Sequence, residues 1–309
     1  MQAASADPAA ARLRIHPVLR YAAPAAYVVA LLAVCVVRGI PASRDAVFLW
    51  VLLGLACVVA GTGRGTIRGI LVDWLPLAVV LFAYDVLRGY ADSFLTAHVT
   101  PQLDFDRWLF GGTVPTVWLQ GRLWHGAGAI DWIDWASWLV YLTHFFATLT
   151  VAAGLWLLRR PLYRPYAAMV SVLALMGFAT YALFPAVPPW MASRDGALEP
   201  TERIVQDISK AAPVDFFGAI WEHGARYAND VAAMPSLHAG YALLITLYLW
   251  PYVGRRWRPL LAAYPLAMGF ALVYTAEHYV SDVLAGWLYA AVAFAGVTLV
   301  VTGRRQPHG

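Results

Sequence analysis

The sequence predicts an all-α protein, a polytopic membrane helix bundle, and three observations support this class. The 309 residues are 61% hydrophobic and only 13% charged, with a mean hydropathy of +0.61. Soluble domains are about 45–50% apolar and about 25% charged, so lipid is the expected solvent for much of this surface. Fourteen Trp and 16 Tyr residues are typical of the aromatic belts at membrane interfaces. Long apolar segments recur along the whole chain.

Eight segments come close to the roughly 20 apolar residues that a helix needs to cross a hydrocarbon core of about 30 Å. The segments are 21–37, 46–61, 69–88, 136–158, 164–184, 235–252, 258–275 and 282–302, of which the second is short. We interpret the first as an uncleaved span, because many spans follow it and no small-residue cleavage site precedes a soluble domain. No repeat or low-complexity tract divides the chain, so residues 1–309 are expected to form a single membrane domain.

The distribution of arginine predicts that both termini are cytoplasmic, because loops on that side of a membrane are enriched in Lys and Arg. With the N-terminus inside, the short inner segments carry 13 of the 22 basic residues: Arg12, Arg14, Arg20, Arg64, Arg68, Arg159, Arg160, Arg164, Arg255, Arg256, Arg258, Arg304 and Arg305. The long loops 89–135 and 185–234 are then outside. We expect a multi-pass protein of the cell membrane with its active site on the extracytoplasmic side.

Composition also argues against two other classes of protein. The formal net charge is +4, but the basic residues stand in short clusters at the ends of apolar runs and form no basic stripe. No nucleic-acid partner is therefore expected. Cys35 and Cys57 each lie inside an apolar run and are interpreted as small buried hydrophobes. They provide neither a disulfide framework nor the spacing of a metal site.

Two histidines are the candidates for chemistry on the outer surface. "MPSLHAG" places His238 at the outer start of the sixth span, and "EHYVSDVLAG" places His278 where the seventh span returns to that surface. His278 and Asp282 are four residues apart, so they are expected on one helix face. The carboxylate can accept the Nδ1–H of His278 and leave Nε2 as a nucleophile. His238, with an unperturbed pKa of about 6.5, suits the role of general acid.

Each of these residues also has an ordinary structural explanation. Asp282 can stabilise a helix N-terminus through the helix dipole, His278 can be an interfacial aromatic residue, and His238 can be a solvated loop residue. The arrangement of all three on one side of the membrane, beside a Pro-Ser-x-His turn, favours the catalytic interpretation.

The same two motifs resemble the second and third motifs of the type 2 phosphatidic acid phosphatase superfamily. The likeness is greatest to the inositol phosphorylceramide synthase branch and its bacterial inositolphosphotransferase-like relatives, in which Pro-Ser-Leu-His is followed by His-Tyr-x-x-Asp. "FPAVPPW" (184–190) and "DRWLFGGTVPT" (106–116) are also similar to that branch. The resemblance covers about residues 80–290, the expected catalytic core.

The resemblance implies specific roles and substrates. His278 is expected to attack phosphorus and form a phosphohistidine, Asp282 to support it, and His238 to protonate the leaving group. Ser236 is expected in the phosphate cradle. The implied substrates are a lipid phosphate and an alcohol or water acceptor, with neither a metal nor another cofactor.

The sequence departs from the phosphatase pattern at its cationic positions. Leu272 stands where that pattern has an Arg six residues before the third-motif His, and the first motif, Lys-x6-Arg-Pro, is absent. A dianionic phosphoryl group still needs cationic donors, preferably a guanidinium. Arg88 is the first candidate, with Asp85 to hold it, and Arg226 is the second. Snorkelling to the lipid headgroups is the alternative role of Arg88.

The expected function is therefore that of an inositolphosphotransferase-like lipid phosphotransferase. A lipid or polyprenyl phosphate or pyrophosphate phosphatase with the same site is the alternative. A less favoured hypothesis is a metal-dependent membrane glycosyltransferase that uses the Asp104/Asp106 pair. The acids of this outer loop, including the second pair Asp131/Asp134, are explained better as solvated residues or helix caps.

Two further features of the sequence need an explanation. His144 lies in the middle of the fourth span, where an ionisable residue is rare and often functional. We interpret it as a neutral imidazole that is hydrogen-bonded within the bundle. The loop 185–234 is hypothesised to be a lid that selects the acceptor, with a short amphipathic helix in its later part.

Overall fold

The computed structural model describes residues 17–38, 44–62, 67–88, 95–212 and 230–303, and within these ranges it contains helices and no strand. The helices are α1 (Pro17–Arg38), α2 (Arg44–Thr62), α3 (Ile67–Arg88), α4 (Thr100–Leu109), α5 (Pro115–Leu123), α6 (Trp132–Leu158), α7 (Arg160–Leu183), α8 (Pro189–Arg194), α9 (Ile204–Ala211), α10 (Leu237–Leu249), α11 (Arg258–Tyr274) and α12 (Val280–Gly303). The predicted all-α class is confirmed.

The eight predicted apolar segments coincide with α1, α2, α3, α6, α7, α10, α11 and α12. Four helices of the described ranges are long and apolar enough to cross a membrane, at Ile67–Tyr84, Trp132–Leu158, Arg160–Leu183 and Val280–Gly303. Tyr21–Val37, Ala46–Ala60 and Leu237–Leu249 are shorter apolar helices. The chain is thus a helical protein with several apolar helices, as a multi-pass membrane protein requires. The count of eight spans and the cytoplasmic position of both termini stay predictions.

Helix α10 lies at the centre of the bundle and packs against α6, α7, α11 and α12. Its closest approach is to α12, where two glycines face each other. A Cβ on Gly286 would lie 2.1 Å from the carbonyl oxygen of Ser236, and a Cβ on Gly240 would lie 3.1 Å from the carbonyl oxygen of Gly286. Glycines at such a crossing let two helix backbones approach closely. This contact fixes the start of α10 against the first turns of α12.

A buried carboxylate ties α3, α6 and α7 together at one end of the bundle. Asp73 accepts hydrogen bonds from Nη2 of Arg160 at 2.7 Å and of Arg164 at 2.9 Å, both at the start of α7. It also accepts one from Nε1 of Trp156 at 2.9 Å. A carboxylate that is 1% exposed needs such partners to offset its loss of hydration. The arginines of this network belong to the end that the sequence predicts to be cytoplasmic.

The short helices α4, α5, α8 and α9 pack at the other end: α4 contacts α12, α5 contacts α11, α9 contacts α6, and α8 is bonded to the residues after α11. Helix α9 is amphipathic, as predicted for the loop 185–234: Ile204, Val205 and Ile208 are buried and belong to the same apolar cluster as Trp138 of α6. Nε1 of Trp138 also donates to Oγ of Ser209 at 3.0 Å. Residues 213–229 of this loop lie outside the described residues.

Candidate active site

The Pro-Ser-x-His turn begins α10 and is joined directly to α12. Ser236 is the N-cap of α10, and its Oγ accepts from the backbone N–H of Ala239 at 3.4 Å. The backbone N–H of Ser236 donates to the carbonyl oxygen of Asp282 at 2.9 Å. On the other side, the hydroxyl of Tyr181 donates to the carbonyl oxygen of Pro235 at 2.7 Å. These bonds hold the turn that carries His238 between α7 and α12.

The structure places the three candidate catalytic side chains together. Nε2 of His278 lies 3.4 Å from Nδ1 of His238, and Nδ1 of His278 lies 3.6 Å from Oδ2 of Asp282. The side chain of His278 is 7% exposed and that of Asp282 is fully buried. The three side chains thus lie together in the fold, while their catalytic roles stay predictions.

The geometry of Asp282 differs in one respect from the expected helix face. Helix α12 begins at Val280, so His278 precedes the helix instead of lying on its first turn. Oδ2 of Asp282 accepts from the backbone N–H of Tyr279 at 2.9 Å and thereby caps the helix. Because 3.6 Å is longer than a hydrogen bond, the carboxylate acts on the imidazole of His278 as a nearby charge.

The tautomer of His278 decides how the two imidazoles face each other. A proton on Nδ1, the nitrogen nearest to Asp282, makes Nε2 an acceptor. Nδ1 of His238 is then the donor across the 3.4 Å contact. In this arrangement the unprotonated nitrogen of one ring faces the N–H of the other.

Asp106 of α4 supports the same turn from another part of the chain. Its carboxylate is fully buried and accepts from the backbone N–H groups of Val280 at 2.9 Å and of Ser281 at 3.0 Å. These are among the first N–H groups of α12, which have no partner within the helix. Burial raises the pKa of Asp106, although the two backbone hydrogen bonds oppose the shift.

Three of the four acids in the two pairs of the loop 89–135 serve as helix caps: Asp106, Asp131 and Asp134. Asp104 is exposed whereas Asp106 is buried with both oxygens bonded to backbone, so the two carboxylates do not form a common site. The backbone N–H of Asp131 donates to Oδ2 of Asp134 at 2.7 Å in a capping box at the start of α6. Asp134 also accepts from the hydroxyl of Tyr274. Within the described ranges, no cluster of three His, Cys, Asp or Glu residues is placed to hold a metal ion.

The predicted phosphate-binding residues are only partly described. Helix α3 ends at Arg88, but the side chains of Arg88 and Asp85 lie outside the described residues, as does Arg226. Ser236 is fully buried at the start of α10, beside His238. Its hydroxyl caps the helix, and its place in a phosphate cradle stays a prediction.

Sequence reasoning missed Arg203, the residue before α9. Its Nε and Nη2 donate to the two carboxylate oxygens of Glu277 at 2.7 and 3.0 Å, and Glu277 directly precedes His278. The guanidinium also stacks over Trp190, 4.3 Å from the ring centroid. Burial opposes the charge, but the two interactions with Glu277 outweigh it and raise the pKa of Arg203.

The loop that carries Arg203 is fixed by a buried glutamine. Nε2 of Gln120 donates to the carbonyl oxygens of Glu202 and Tyr274, each at 2.9 Å. Oε1 of Gln120 accepts from the backbone N–H of Glu202 at 2.8 Å. Arg203 therefore follows a residue whose backbone is anchored to α5 and to the end of α11. The only sequence signal for the ion pair was an acid beside a candidate catalytic histidine.

His144 belongs to the site as well. Its ring centroid lies 3.9 Å from that of His238, with an angle of 38° between the ring planes. Sequence reasoning treated His144 as a bundle residue because no carboxylate stood near it in the chain. The packing of α6 against α10 brings it to the candidate general acid.

Comparison with known proteins agrees with this geometry. Residues 104–296 match the PAP2 superfamily. The chain is similar to the phosphoinositol dihydroceramide synthase of Bacteroides thetaiotaomicron, with 32% identity over 136 residues, 41% of this chain and 43% of that protein. It is also similar to the inositol phosphorylceramide synthase catalytic subunits of Schizosaccharomyces pombe, at 29% over 155 residues (49% of this chain, 36% of that protein), and Saccharomyces cerevisiae, at 29% over 123 residues (39% and 30%).

The matched segments cover less than half of the length of each of these curated relatives. No solved structure gives a significant match. The family match includes His238, His278 and Asp282, and begins after Asp85 and Arg88.

Proposed function

The chain belongs to the PAP2 superfamily, and from this premise we propose that it is a membrane lipid phosphotransferase that moves a phosphate-containing headgroup through a phosphohistidine at His278. Two of the relatives are named as inositol phosphorylceramide synthase subunits and one as a phosphoinositol dihydroceramide synthase. These names support a phosphoinositol headgroup. The observation that carries the proposal is the contact of Nε2 of His278 with Nδ1 of His238 at 3.4 Å, beside a buried Asp282.

The proposed reaction has two steps. In the first, Nε2 of His278 forms a bond to phosphorus while the bond from phosphorus to the leaving oxygen breaks, and His238 gives its proton to that oxygen. In the second, the oxygen of an acceptor alcohol attacks phosphorus, the Nε2–phosphorus bond breaks, and His238 takes the proton of the acceptor. The carboxylate of Asp282 stabilises the positive charge that His278 gains in the first step.

A phosphoryl group carries negative charge, and we propose Arg203 as a cation that stabilises it. The bidentate pair with Glu277, the residue before His278, and the stacking on Trp190 hold the guanidinium in one orientation. Preorganised charge of this kind is effective because it needs no rearrangement during the reaction. Arg88, with Asp85 to hold it, and Ser236 remain the sequence-derived candidates for further contacts to the same phosphate.

The proposed setting is a cell membrane. We propose that residues 1–309 form a single membrane domain with its catalytic core at about 80–290, with both termini cytoplasmic and the site extracytoplasmic. The arginine census supports this orientation, and so does the position of Arg160 and Arg164 at the end of α7 opposite Tyr181, which contacts the His238 turn. A lipid phosphate donor can then enter from the outer leaflet.

Product analysis tests the proposal. Purified protein is incubated with labelled phospholipids and polyprenyl phosphates, with and without inositol and a long-chain alcohol acceptor such as ceramide. Transfer of a labelled phosphate-containing headgroup to an alcohol is expected. Release of inorganic phosphate to water alone would instead support the phosphatase alternative. No turnover of any phosphate ester would overturn both.

A further inference from the structure

Three rings from one face of α6 surround the imidazole of His238. Their centroids lie 3.9 Å (His144), 5.2 Å (Tyr141) and 6.4 Å (Phe145) from the centroid of His238. Tyr141 is nearly parallel to the imidazole at 20°, His144 is tilted by 38°, and Phe145 meets it edge-on at 83°. Residues spaced by three and four lie on one face of a helix, so α6 presents these rings as a single surface.

We propose that His144 is a positioning residue for the general acid, His238. This inference deepens the proposed function and rests on it. Of the three α6 rings, His144 makes the shortest contact with His238, and it lies against the face of the imidazole. The contact with His278 is different in kind: the centroids are 5.5 Å apart at 58°, and the Nδ1 edge of His238 points at Nε2 of His278.

The physical reason lies in the freedom of a histidine ring. Rotation about the bond between Cβ and the ring has broad minima, so the backbone does not decide the plane of the imidazole. Contacts on the face of the ring oppose a change of that plane. Because the centroid of His144 lies only 3.9 Å from that of His238, tilting the imidazole of His238 towards it would bring the two rings into collision. The plane that His144 helps to fix is the one in which Nδ1 of His238 reaches Nε2 of His278.

The orientation matters because a general acid works only when its proton is aimed at the leaving oxygen. A positioned acid contributes about 10²–10⁴-fold to the rate, and a displacement of about 1 Å can cost about 10²-fold. His144 is thus assigned an effect on the two proton transfers of His238, to the leaving oxygen in the first step and from the acceptor in the second, and none on the attack by His278.

Leaving-group dependence tests this assignment. The probes are an alkyl phosphodiester of the transferred headgroup, whose leaving alkoxide needs a proton, and the matching p-nitrophenyl ester, whose leaving group does not. Single-turnover release of the leaving group is measured, because it reports the first step and not the later deprotonation of the acceptor by His238. For His144→Ala we expect a loss of about 10²-fold with the alkyl ester and little change with the p-nitrophenyl ester. His238→Ala should show the same selective pattern. His144→Phe, which keeps a planar ring, should restore most of the alkyl-ester activity.

Other outcomes would overturn the proposal. Equal losses on both esters in His144→Ala, with a correctly folded protein, would mean general damage to the site. Failure of His144→Phe to restore the alkyl-ester activity would mean that the nitrogens of His144 are needed, and ring stacking would not be its role. Leu139→Ala, at an exposed position of the same helix, is the control and should leave both activities unchanged.

The proposed function fails in a different way. If His278→Ala still turns over the p-nitrophenyl ester, a phosphohistidine intermediate at His278 is excluded, whatever the behaviour of the His144 variants. If His144→Ala does not fold, His144→Phe is compared with the wild type on the two esters. A selective loss with the alkyl ester in His144→Phe would contradict positioning of His238 by a planar ring.

Discussion

Nε2 of His278 and Nδ1 of His238 lie 3.4 Å apart, which is too close for a reacting phosphoryl group between them. A nucleophile approaches its target atom to about 3–3.5 Å, and a general acid lies about 2.6–3.2 Å from the oxygen that it protonates. Together these distances require a nitrogen–nitrogen separation on the order of 6 Å. In the proposed mechanism, the two rings therefore have to move apart when the substrate enters. The observed contact places Nδ1 of His238 directly against Nε2 of His278.

His278→Ala should abolish turnover while the protein still folds, because it removes the nitrogen that is proposed to form the bond to phosphorus. The measurement is headgroup transfer together with a search for a labelled phosphoenzyme in the wild type. His125→Ala is the control, because His125 is an exposed histidine that pairs with Asp131 in the outer loop. Substantial activity in His278→Ala would exclude covalent catalysis at this position.

Arg203→Ala should lower kcat by about 10²–10³-fold, the usual cost of removing one donor that stabilises transition-state charge. Arg203→Lys should recover only part of the loss, because an ammonium cannot reproduce the bidentate bond to Glu277. Steady-state kinetics with the phosphate donor is the measurement.

Arg194→Ala is the matched control for Arg203. Arg194 also contacts Trp190, at 5.4 Å, but it is more exposed and pairs with its neighbour Asp195. We expect near-normal kinetics for this variant. If Arg194→Ala were as damaged as Arg203→Ala, the effect would come from Trp190 or from the loop as a whole, and Arg203 would lose its proposed role.

The parts of the site that could be predicted from the sequence are those whose residues lie close together in the chain. Apolar runs mark the helices, and His278 and Asp282 stand four residues apart. Arg203 and Asp106 could not be found in this way. Asp106 is 174 residues from Val280, and Arg203 is 74 residues from Glu277. Their partners are backbone groups and a carboxylate that only the folded chain brings within reach.

The same distinction explains the outcome for His144 and for the acid pairs. The position of His144 in the chain predicts that it lies within a span. Its contact with His238 depends on which face of α6 packs against α10, and the sequence does not give this. Asp104 and Asp106 suggest a metal site because they are close in sequence. Residues two apart on a helix point in different directions, so one is exposed and the other caps α12.

Asp106→Ala should destabilise the protein and lower its activity. It leaves the buried N–H groups of Val280 and Ser281 without their acceptor, and each such group costs about 1–3 kcal/mol. The turn between His278 and α12 should loosen as a result. Thermal unfolding and turnover are measured together, with Asp104→Ala, an exposed position of the same helix, as the control. Wild-type stability and activity in Asp106→Ala would show that the cap does not position the turn.

Headgroup transfer should be unaffected by EDTA. The proposed chemistry uses two imidazoles and a guanidinium, and both oxygens of Asp106 are engaged by backbone N–H groups. The assay compares rates in EDTA with rates in added Mg²⁺, Mn²⁺ or Ca²⁺. A strict requirement for a divalent cation would contradict the proposed mechanism and would favour a metal-dependent transferase of another class.

Gly286→Ala should damage the site from within the α10/α12 crossing. The new Cβ would lie 2.1 Å from the carbonyl oxygen of Ser236, a backbone atom that cannot move aside without shifting the start of α10. Overpacking of this kind costs about 1–3 kcal/mol, and a shift of His238 by about 1 Å can cost a further 10²-fold in rate. Gly296→Ala on the same helix has no atom within 4 Å of its new Cβ and should behave as the wild type. Because both substitutions add one methyl group to α12, full activity in Gly286→Ala would mean that this crossing does not hold the two histidines in place.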